Sequence, residues 1–311
     1  MALISTRALT KRYPGGVTAL DGLSVEIEPG VIGLVGANGA GKSTLLKILL
    51  GLLPATTGEA HVFDLDTATH GARIRELVGY MPEHDCLPPD VSATEFVSHM
   101  ARVSGLPAGA ARERTADVLR HVGLYEERYR PIGGYSTGMK QRVKLAQALV
   151  HDPRVLFLDE PTNGLDPAGR DEMLALIERI GKEFGIAVIV ASHLLGEIER
   201  VAGWLVAIDA GRLLRTASVS SFTERTGMLL VETDEPADAL AERLVARGID
   251  ARADGRIVVA DLATGGDGEF TVYDAVRDEA VALRLALVRI EQRRHQLEDL
   301  FRAGGGNDRF G

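Results

Sequence analysis

A glycine-rich stretch at residues 36–44 contains the residue types that bind phosphate groups. Its glycines let backbone N–H groups turn toward an anion without clashes from side chains. Lys42 would neutralise phosphate charge, and the Ser43 hydroxyl would ligate Mg²⁺. The pattern predicts a P-loop for a nucleoside triphosphate, and the alternative is a glycine-rich turn that binds nothing. The residues of the stretch are Gly36, Ala37, Asn38, Gly39, Ala40, Gly41, Lys42, Ser43 and Thr44.

Two adjacent carboxylates, Asp159 and Glu160, follow the apolar run at residues 155–158. Ligands of open α/β sheets bind at the carboxyl edge of the strands, where these side chains would lie. We expect Asp159 to hold Mg²⁺, directly or through water, as a Walker-B aspartate does. Glu160 would polarise the attacking water as a general base. The simpler alternative is a solvated Asp-Glu pair at a strand end, which the upstream P-loop disfavours.

A second stretch of small residues, at 135–142, leads into a helical pattern at residues 143–149. A turn of small residues before a helix exposes unpaired N–H groups at the positive end of the helix dipole, so it predicts a second anion site. The stretch lacks the spacing of a P-loop, and we do not interpret it as one.

The elements around these motifs alternate between strand and helix. The β-branched run at residues 31–35 predicts a buried strand before the P-loop, and the leucine-rich run at 45–53 predicts a helix after it. A strand at 155–158, a helix at 168–184 and a strand at 187–191 follow, before a hairpin around residues 209–211. This alternation predicts a largely parallel sheet with right-handed crossovers.

Two other segments depart from that alternation. Short apolar stretches in the first sixty residues are separated by turns at 14–16, 21–22 and 29–30, which is typical of antiparallel strands. Residues 90–134 are helical in pattern, with a capping box at residues 92–95 and a second helix at 110–121. The predicted fold class is therefore an α/β P-loop NTPase core with a mostly parallel sheet, an antiparallel β subdomain and a helical insert.

The C-terminal third predicts a small α+β domain after a polar linker. We expect a strand at 228–233, a helix at 236–247, a hairpin at 253–255, a strand near 270–273, a helix at 275–285, a strand at 287–291 and a short helix ending at Phe301. The predicted domains are a nucleotide-binding domain at 1–217, with a helical subdomain at about 84–140, a linker at 218–227, an accessory domain at 228–303 and a flexible tail at 304–311.

Composition excludes several classes of function. The formal net charge of −9 over 311 residues argues against nucleic acid or anionic lipid as a partner held by bulk charge. The N-terminus lacks a signal-peptide pattern, and no apolar run approaches the length of a membrane span, so we expect a cytoplasmic protein. The single cysteine, Cys86, agrees with a reducing compartment and is interpreted as a loop residue. The histidines show no zinc-binding spacing, and no Gly-x-Ser-x-Gly elbow indicates a serine hydrolase.

The order of these motifs resembles that of the ATP-binding subunits of ABC transporters. The P-loop comes first, then the turn Tyr-Ser-Thr-Gly-Met at 135–139, and then Leu-Asp-Glu-Pro-Thr-Asn-Gly-Leu-Asp-Pro at 158–167. The resemblance covers about residues 3–215, and the segment 289–301 is similar to the closing segment of export-type members. It implies an ABC ATPase that uses ATP and Mg²⁺, pairs head to tail with a second copy of itself, and drives export through separate transmembrane permease subunits.

The resemblance also assigns roles to individual residues. Tyr13 would stack on adenine, although an aromatic residue is also ordinary at a strand end. His193 would orient the γ-phosphate, and Asp166 belongs to the D-loop that lines the dimer interface. The signature motif would contact the γ-phosphate held by the other subunit's P-loop, and its residues are Ser136, Thr137, Gly138 and Met139.

Two departures from the family pattern bear on the chemistry. The signature is commonly Leu-Ser-Gly-Gly-Gln, and this chain keeps only its serine and second glycine. Glu83 stands where the family often carries a glutamine whose amide oxygen reaches Mg²⁺. A carboxylate is still an oxygen ligand for Mg²⁺, but it adds negative charge near the γ-phosphate.

The resemblance places the protein on the inner face of the cell membrane, attached through the permease. A different class remains open, namely a soluble ABC-type ATPase that acts as a nucleotide switch on ribosomes or DNA. Such proteins typically carry two cassettes or long coiled coils, whereas this chain has one P-loop and an acidic charge balance. A P-loop kinase or GTPase lacks support, because no Asn-Lys-x-Asp motif is present.

Overall fold

The structure, a computed structural model, describes residues 2–84, 86–220, 225–263 and 269–294. These residues divide into two compact units, one reaching to Val219 and the other beginning at Ser220. The strands are β1 (Ile4–Arg12), β2 (Thr18–Ile27), β3 (Val31–Val35), β4 (Thr57–Val62), β5 (Leu65–Asp66), β6 (Val78–Met81), β7 (Val155–Asp159), β8 (Ala187–Ser192), β9 (Trp204–Asp209), β10 (Arg212–Ser218), β11 (Arg225–Thr233), β12 (Ala251–Asp254), β13 (Ile257–Asp261) and β14 (Leu287–Arg294). The helices are α1 (Lys42–Leu49), α2 (Gly71–Leu77), α3 (Ala93–Val103), α4 (Ala108–His121), α5 (Thr137–Leu149), α6 (Pro167–Glu183), α7 (Leu195–Val201), α8 (Asp238–Ala246) and α9 (Glu269–Leu283).

The first unit is built on a six-stranded sheet in the order β10-β9-β3-β8-β7-β6. All neighbouring strands in it run parallel except β10, which pairs antiparallel with β9. Every residue of β7 and β8 is buried, as expected for central strands covered on both faces. The carboxyl ends of β3, β7 and β8 therefore meet at one edge of the sheet. The P-loop, the Asp159-Glu160 pair and His193 follow these three strands.

A second sheet in this unit is antiparallel, in the order β2-β1-β4-β5. It contributes to the same hydrophobic core as the central sheet, since Leu9 and Leu23 belong to one cluster with Ile32 and Phe157. The predicted turn at residues 21–22 is wrong, because both residues lie inside β2. Gly22 has a φ of +65°, and the pairing of β1 with β2 shifts register along this stretch, so the glycine serves an irregular strand rather than a chain reversal.

The helical insert contains α3 and α4, which pack on each other and on α5. Helix α3 begins with the predicted capping box. The Ser92 hydroxyl accepts the backbone N–H of Glu95, and the Glu95 carboxylate accepts the backbone N–H of Ser92. The backbone N–H and the hydroxyl of Ser92 both donate to the Glu95 carboxylate, and they hold the pKa of Glu95 below its usual range. The insert thus brings α5, which begins at the Ser136 turn, next to the parallel sheet.

The second unit carries a four-stranded antiparallel sheet in the order β12-β13-β11-β14. Residues of α8 and α9 share its core with the sheet, including Leu240, Leu244 and Val276 against Val231 and Val258. The predicted linker at 218–227 overlaps the end of β10 and the start of β11.

The predicted strand near residues 270–273 is wrong, because this stretch forms the first turns of α9. Its β-branched and aromatic residues favour a strand locally. Val272, Ala275 and Val276 are buried on one helical face, so burial at helical spacing overrides that preference. The predicted helix ending at Phe301 and the tail at 304–311 lie outside the described residues. Within the described residues, no helix has both the length and the hydrophobicity needed to cross a membrane.

Candidate functional site

The P-loop connects β3 to α1 with a backbone that requires glycine at two positions. Gly41 has a φ of +107°, and a Cβ atom there would lie 2.4 Å from the carbonyl oxygen of Ala19. A Cβ atom on Gly36 would lie 2.3 Å from the carbonyl oxygen of Ile208. The loop is therefore packed against its surroundings, and α1 begins immediately after it at Lys42. Its N–H groups lie at a helix N-terminus, the arrangement that binds phosphate.

Lys42 is buried and contacts the P-loop itself. Its Nζ atom donates to the carbonyl oxygens of Gly36 at 2.7 Å and Ala37 at 3.3 Å. The same ammonium lies 3.5 Å from Oε1 of Glu160. The cation that would neutralise phosphate is thus held between the loop and the carboxylate at the end of β7.

Ser43 and Asp159 place two side-chain oxygen atoms next to each other at this site. The Ser43 hydroxyl donates to Oδ1 of Asp159 at 3.2 Å. Burial raises the pKa of the Asp159 carboxyl, and the nearby charges of Glu83 and Glu160 raise it further, while Ser43 and Lys42 lower it. A buried carboxylate among other carboxylates is electrostatically costly, and a divalent cation would relieve that cost.

Glu160 is fixed by its backbone and by both carboxylate oxygens. Its φ is +50°, a left-handed conformation that non-glycine residues rarely adopt, and its N–H donates to the carbonyl oxygen of Ala191 at 2.9 Å. Its Oε2 atom lies 2.9 Å from Nδ1 of His193, which follows β8. Strained backbone of this kind persists only where the surroundings hold it in place.

Lys42, Ser43 and Glu160 line one cavity of about 330 Å³, which we call the phosphate-loop cavity. Tyr13 lies beside it, with its hydroxyl 3.5 Å from the Thr44 hydroxyl. Among the described residues, no group of three or more His, Cys, Asp or Glu side chains could hold a metal ion by itself. The residues lining the cavity are Ala19, Asn38, Gly39, Gly41, Lys42, Ser43, Thr44, Glu83 and Glu160.

Glu83 enters this cavity from the loop after β6. Its Oε1 atom accepts a long hydrogen bond of 3.5 Å from Nδ2 of Asn163. Lys144 is buried on α5 and was not among the residues predicted from the sequence. Its Nζ atom donates to the carbonyl oxygens of Glu83 at 2.9 Å and His84 at 3.5 Å. Helix α5, which starts at the Ser136 turn, therefore holds the backbone of the Glu83 loop.

The signature residues lie outside the phosphate-loop cavity. Ser136 is the N-cap of α5, and its hydroxyl accepts the backbone N–H of Met139 at 3.3 Å. Thr137 and Gly138 form the first turn of α5, and together with Asp166 these residues line a separate groove of about 610 Å³. Within the part of the chain that the structure describes, no residue lines both spaces. The structure therefore brings the P-loop, Asp159, Glu160 and His193 together, but not the signature turn.

Two further side chains, those of Asp166 and Glu197, make contacts outside the phosphate-loop cavity. Asp166 is the N-cap of α6, where its Oδ1 accepts the backbone N–H of Gly169 at 2.9 Å. Glu197, on α7, contacts the segment that follows β7. Its side chain is 12% exposed, and its Oε2 accepts the hydroxyl of buried Thr162 at 2.5 Å. No local pattern reveals this contact, since it joins residues 35 positions apart.

The chain is similar to a family sequence model, to ATP-binding proteins of transport and drug resistance, and to a solved structure. A sequence model described as ABC transporter matches residues 20–163. The bacitracin transport ATP-binding protein BcrA of Bacillus licheniformis is 38% identical over 213 residues, which are 68% of this chain and 68% of that protein. The daunorubicin/doxorubicin resistance ATP-binding protein DrrA of Streptomyces peucetius is 32% identical over 246 residues, 78% of this chain and 74% of that protein.

A solved structure of a transporter component has a similar fold. The structure of cbiO1 from Clostridium perfringens, described as part of the ABC transporter complex cbiONQ, superposes with a TM-score of 0.65 and 30% sequence identity. The match covers 70% of this chain and 89% of that one. A match of this extent shows that most of the chain shares its fold with that protein.

Proposed function

Because this chain belongs to the ABC transporter family as an ATP-binding subunit, we propose that two copies of it bind and hydrolyse ATP to drive export through separate membrane-spanning subunits. One observation carries the catalytic part of this proposal. The P-loop cation Lys42 and the carboxylate of Glu160 lie 3.5 Å apart beside a single cavity, and the Ser43–Asp159 pair lies next to them. A cation, a general base and oxygen ligands at one helix N-terminus form a site suited to phosphoryl transfer to water.

In this proposal each residue has a distinct task. The N–H groups of the P-loop bind the β- and γ-phosphates, and Lys42 neutralises their charge. Glu160 accepts a proton from the attacking water, and His193 keeps that carboxylate in place through Nδ1 and contacts the γ-phosphate. Tyr13 stacks on the base, which favours purine nucleotides without strong selection among them.

The residues around Ser43 fit Mg²⁺ by their donor chemistry. The Ser43 hydroxyl and the Asp159 carboxylate both present oxygen, the donor that this ion prefers, and Glu83 lines the same cavity. These three residues would hold the ion together with phosphate oxygens. When bound, Mg²⁺ supplies positive charge to the oxygens of the transferred phosphoryl group.

A second copy of the chain completes the site in this proposal, with its signature turn placed on the γ-phosphate. Gly138 supports this. In the structure a Cβ atom there would meet only Leu165 Cδ2, at an ordinary 3.7 Å, so packing within the chain does not require glycine. Glycine within a helix costs about 0.5–1 kcal/mol relative to alanine. The close approach of a ligand from outside the chain explains why glycine occupies position 138. The partner permease holds the dimer at the inner face of the membrane.

The proposal is tested by comparing the wild-type protein with Glu160→Gln. We expect wild-type protein to release phosphate from Mg·ATP, and Glu160→Gln to lose about 10²–10⁴-fold in kcat, the usual contribution of a general base. Glu160→Gln should form a dimer with Mg·ATP, measured by light scattering during size-exclusion chromatography. Glu178→Gln, on the exposed face of α6, is the matched control. Full turnover in Glu160→Gln, or a strictly monomeric protein with Mg·ATP, contradicts the proposal.

A further inference from the structure

A second contact joins the segment after β7 to the segment after β8, one helical turn beyond the Glu160–His193 pair. The Thr162 hydroxyl donates to Oε2 of Glu197 at 2.5 Å. Thr162 is 1% exposed, and the Glu197 side chain is 12% exposed. Neither residue lines the phosphate-loop cavity. The contact therefore lies behind the site rather than in it.

Stability alone does not explain a carboxylate at this position. A charge taken out of water costs free energy unless it is paired and fully hydrogen-bonded. Among the described residues, the Oε1 atom of Glu197 has no hydrogen-bond partner, and it lies 3.9 Å from Nε of Arg170. An incompletely satisfied buried ion pair is weak evidence for a stabilising role.

The position of Glu197 relative to Glu160 and His193 gives a better reason for a carboxylate at this site. Thr162 lies two residues after Glu160, and Glu197 lies four residues after His193. The two segments are thus joined at the Glu160 backbone, at the Glu160–His193 pair, and at the Thr162–Glu197 pair. The three contacts close a ring that fixes the imidazole relative to the carboxylate.

Arg170 extends this ring to the loop that precedes α6. Its Nε atom donates to the carbonyl oxygen of Leu165 at 3.1 Å and also faces the Glu197 carboxylate. The left-handed backbone of Glu160 needs surroundings that hold it, and the Thr162–Glu197 contact acts two residues away from it.

We propose that Glu197 is a positioning residue for ATP hydrolysis, which acts through Thr162 and Arg170 to hold Glu160 and His193 in the arrangement that activates water. This inference rests on the proposed function, because it concerns the reaction of that site. It predicts that loss of the contact lowers the rate of the chemical step and leaves nucleotide binding unchanged.

The experiment compares Thr162→Val, Thr162→Ser, Glu197→Gln, Glu197→Ala and the Thr162→Val/Glu197→Ala double variant. We expect Thr162→Val and Glu197→Ala to lower kcat about 10- to 100-fold, since small displacements of catalytic groups have effects of this size. The KM for ATP and the dissociation constant of ADP should stay within about twofold. Thr162→Ser keeps the hydroxyl and should retain most of the wild-type kcat. Glu197→Gln keeps an acceptor oxygen and should be less affected than Glu197→Ala.

The double variant should be no slower than the more affected single variant, because the two side chains act as one unit. Arg200→Ala is the control. Arg200 lies on α7, as Glu197 does, and the substitution removes only its exposed ion pair with Asp171 of α6. An unchanged kcat in Thr162→Val, multiplicative effects in the double variant, or a parallel loss of ADP affinity would overturn the inference. If Thr162→Val does not fold, a kcat for Glu197→Ala equal to that of the wild type would also overturn it.

The two proposals fail in different ways. A wild-type protein that does not hydrolyse Mg·ATP overturns the proposed function. A wild-type protein that hydrolyses ATP, loses this activity in Glu160→Gln and keeps it in Glu197→Ala overturns only the role of Glu197.

Discussion

The Nδ1 atom of His193 lies 2.9 Å from Oε2 of Glu160, while the other oxygen of this carboxylate faces the ammonium of Lys42 at 3.5 Å. Each oxygen of the carboxylate therefore has its own partner, one from the end of β8 and one from the start of α1. The orientation of the carboxylate is set by groups that would both contact the γ-phosphate, so substrate binding and base alignment are coupled in this site.

Replacement of His193 tests this coupling. We expect His193→Ala to lower the kcat of ATP hydrolysis about 100-fold, because Glu160 loses the group that orients it. The dissociation constant of ADP should stay within about twofold, as measured by calorimetry. His193→Gln retains an amide that can reach Glu160 and should fall between the two. Equal kcat values for His193→Ala and the wild type would show that the contact has no catalytic role.

Tyr13 is predicted to stack on the nucleotide base. Tyr13→Ala should weaken ATP binding by about 1–3 kcal/mol, the usual worth of a base–aromatic stack, and should weaken GTP binding by a similar amount. Tyr13→Phe removes only the hydroxyl near Thr44 and should bind both nucleotides almost as well as the wild type. Equilibrium titration with fluorescent analogues measures each affinity. Unaltered affinity in Tyr13→Ala would assign the ring a purely structural place.

Gly138→Ala separates folding from assembly. The added methyl group meets only Leu165 at 3.7 Å, so thermal stability should be equal to or slightly above that of the wild type. In the Glu160→Gln background, however, the Mg·ATP-induced dimer should be lost, because the methyl group occupies space reserved for the partner's nucleotide. Gly134→Ala, whose added methyl group meets nothing within 4 Å, is the control and should still form dimers. Dimers of normal stability in Gly138→Ala would count against the shared site.

Glu83→Gln removes one negative charge beside Asp159 and keeps the shape of the side chain. ATP binding should persist, and the Mg²⁺ concentration for half-maximal hydrolysis should rise about 30-fold, corresponding to roughly 2 kcal/mol between a single charge and the double charge of Mg²⁺ about 4 Å apart in water. With the permease present, stimulation of hydrolysis by the transported substrate should also change. Identical Mg²⁺ dependence and stimulation in the two proteins would exclude Glu83 from the metal site.

The raised pKa of Asp159 predicts a pH-dependent stability difference. Because burial, Glu83 and Glu160 raise this pKa above its ordinary 3.8, the folded protein holds a proton that the unfolded chain releases. The cost of the ionised carboxylate is therefore absent at pH values below 3.8 and develops as the pH rises through the raised pKa. Asp159→Asn should melt at a higher temperature than the wild type at neutral pH without nucleotide, and the difference should shrink toward acidic pH.

The same variant should respond less to Mg·ATP. Wild-type protein gains stability from the bound ligand, whereas Asp159→Asn lacks one of its charges for the ion. Differential scanning fluorimetry across pH, with Asp171→Asn as an exposed control, measures both effects. A lower melting temperature for Asp159→Asn at neutral pH would contradict the argument.

The sequence predicted much of the fold because its signals are local. The strand at 31–35 is bounded by turn residues and appears in the structure with these bounds, and the capping box at Ser92 opens α3 as expected. The fold class as a whole is confirmed by the parallel sheet, the antiparallel subdomain and the family match. Residues 21–22 and 270–273 were misassigned, since their local preference yields to the pairing of β2 and to the buried face of α9.

The site was predictable where spacing encodes it and not where only folding does. The P-loop and the Asp159-Glu160 pair carry their chemistry in adjacent residues. Lys144 and Glu197, in contrast, act on groups that lie 61 and 35 residues away along the chain, so no window of sequence connects them to their partners. Positions that support a site from behind are determined by tertiary contacts, and they look like ordinary surface or helix residues in the sequence.

The contacts of Lys42 with its own loop and with Glu160 have a consequence for the order of events in catalysis. In the proposed reaction, a phosphate bound by this ammonium would compete with the Glu160 carboxylate for it, so substrate binding would free the base. A protomer without triphosphate would keep the Glu160 carboxylate paired with Lys42.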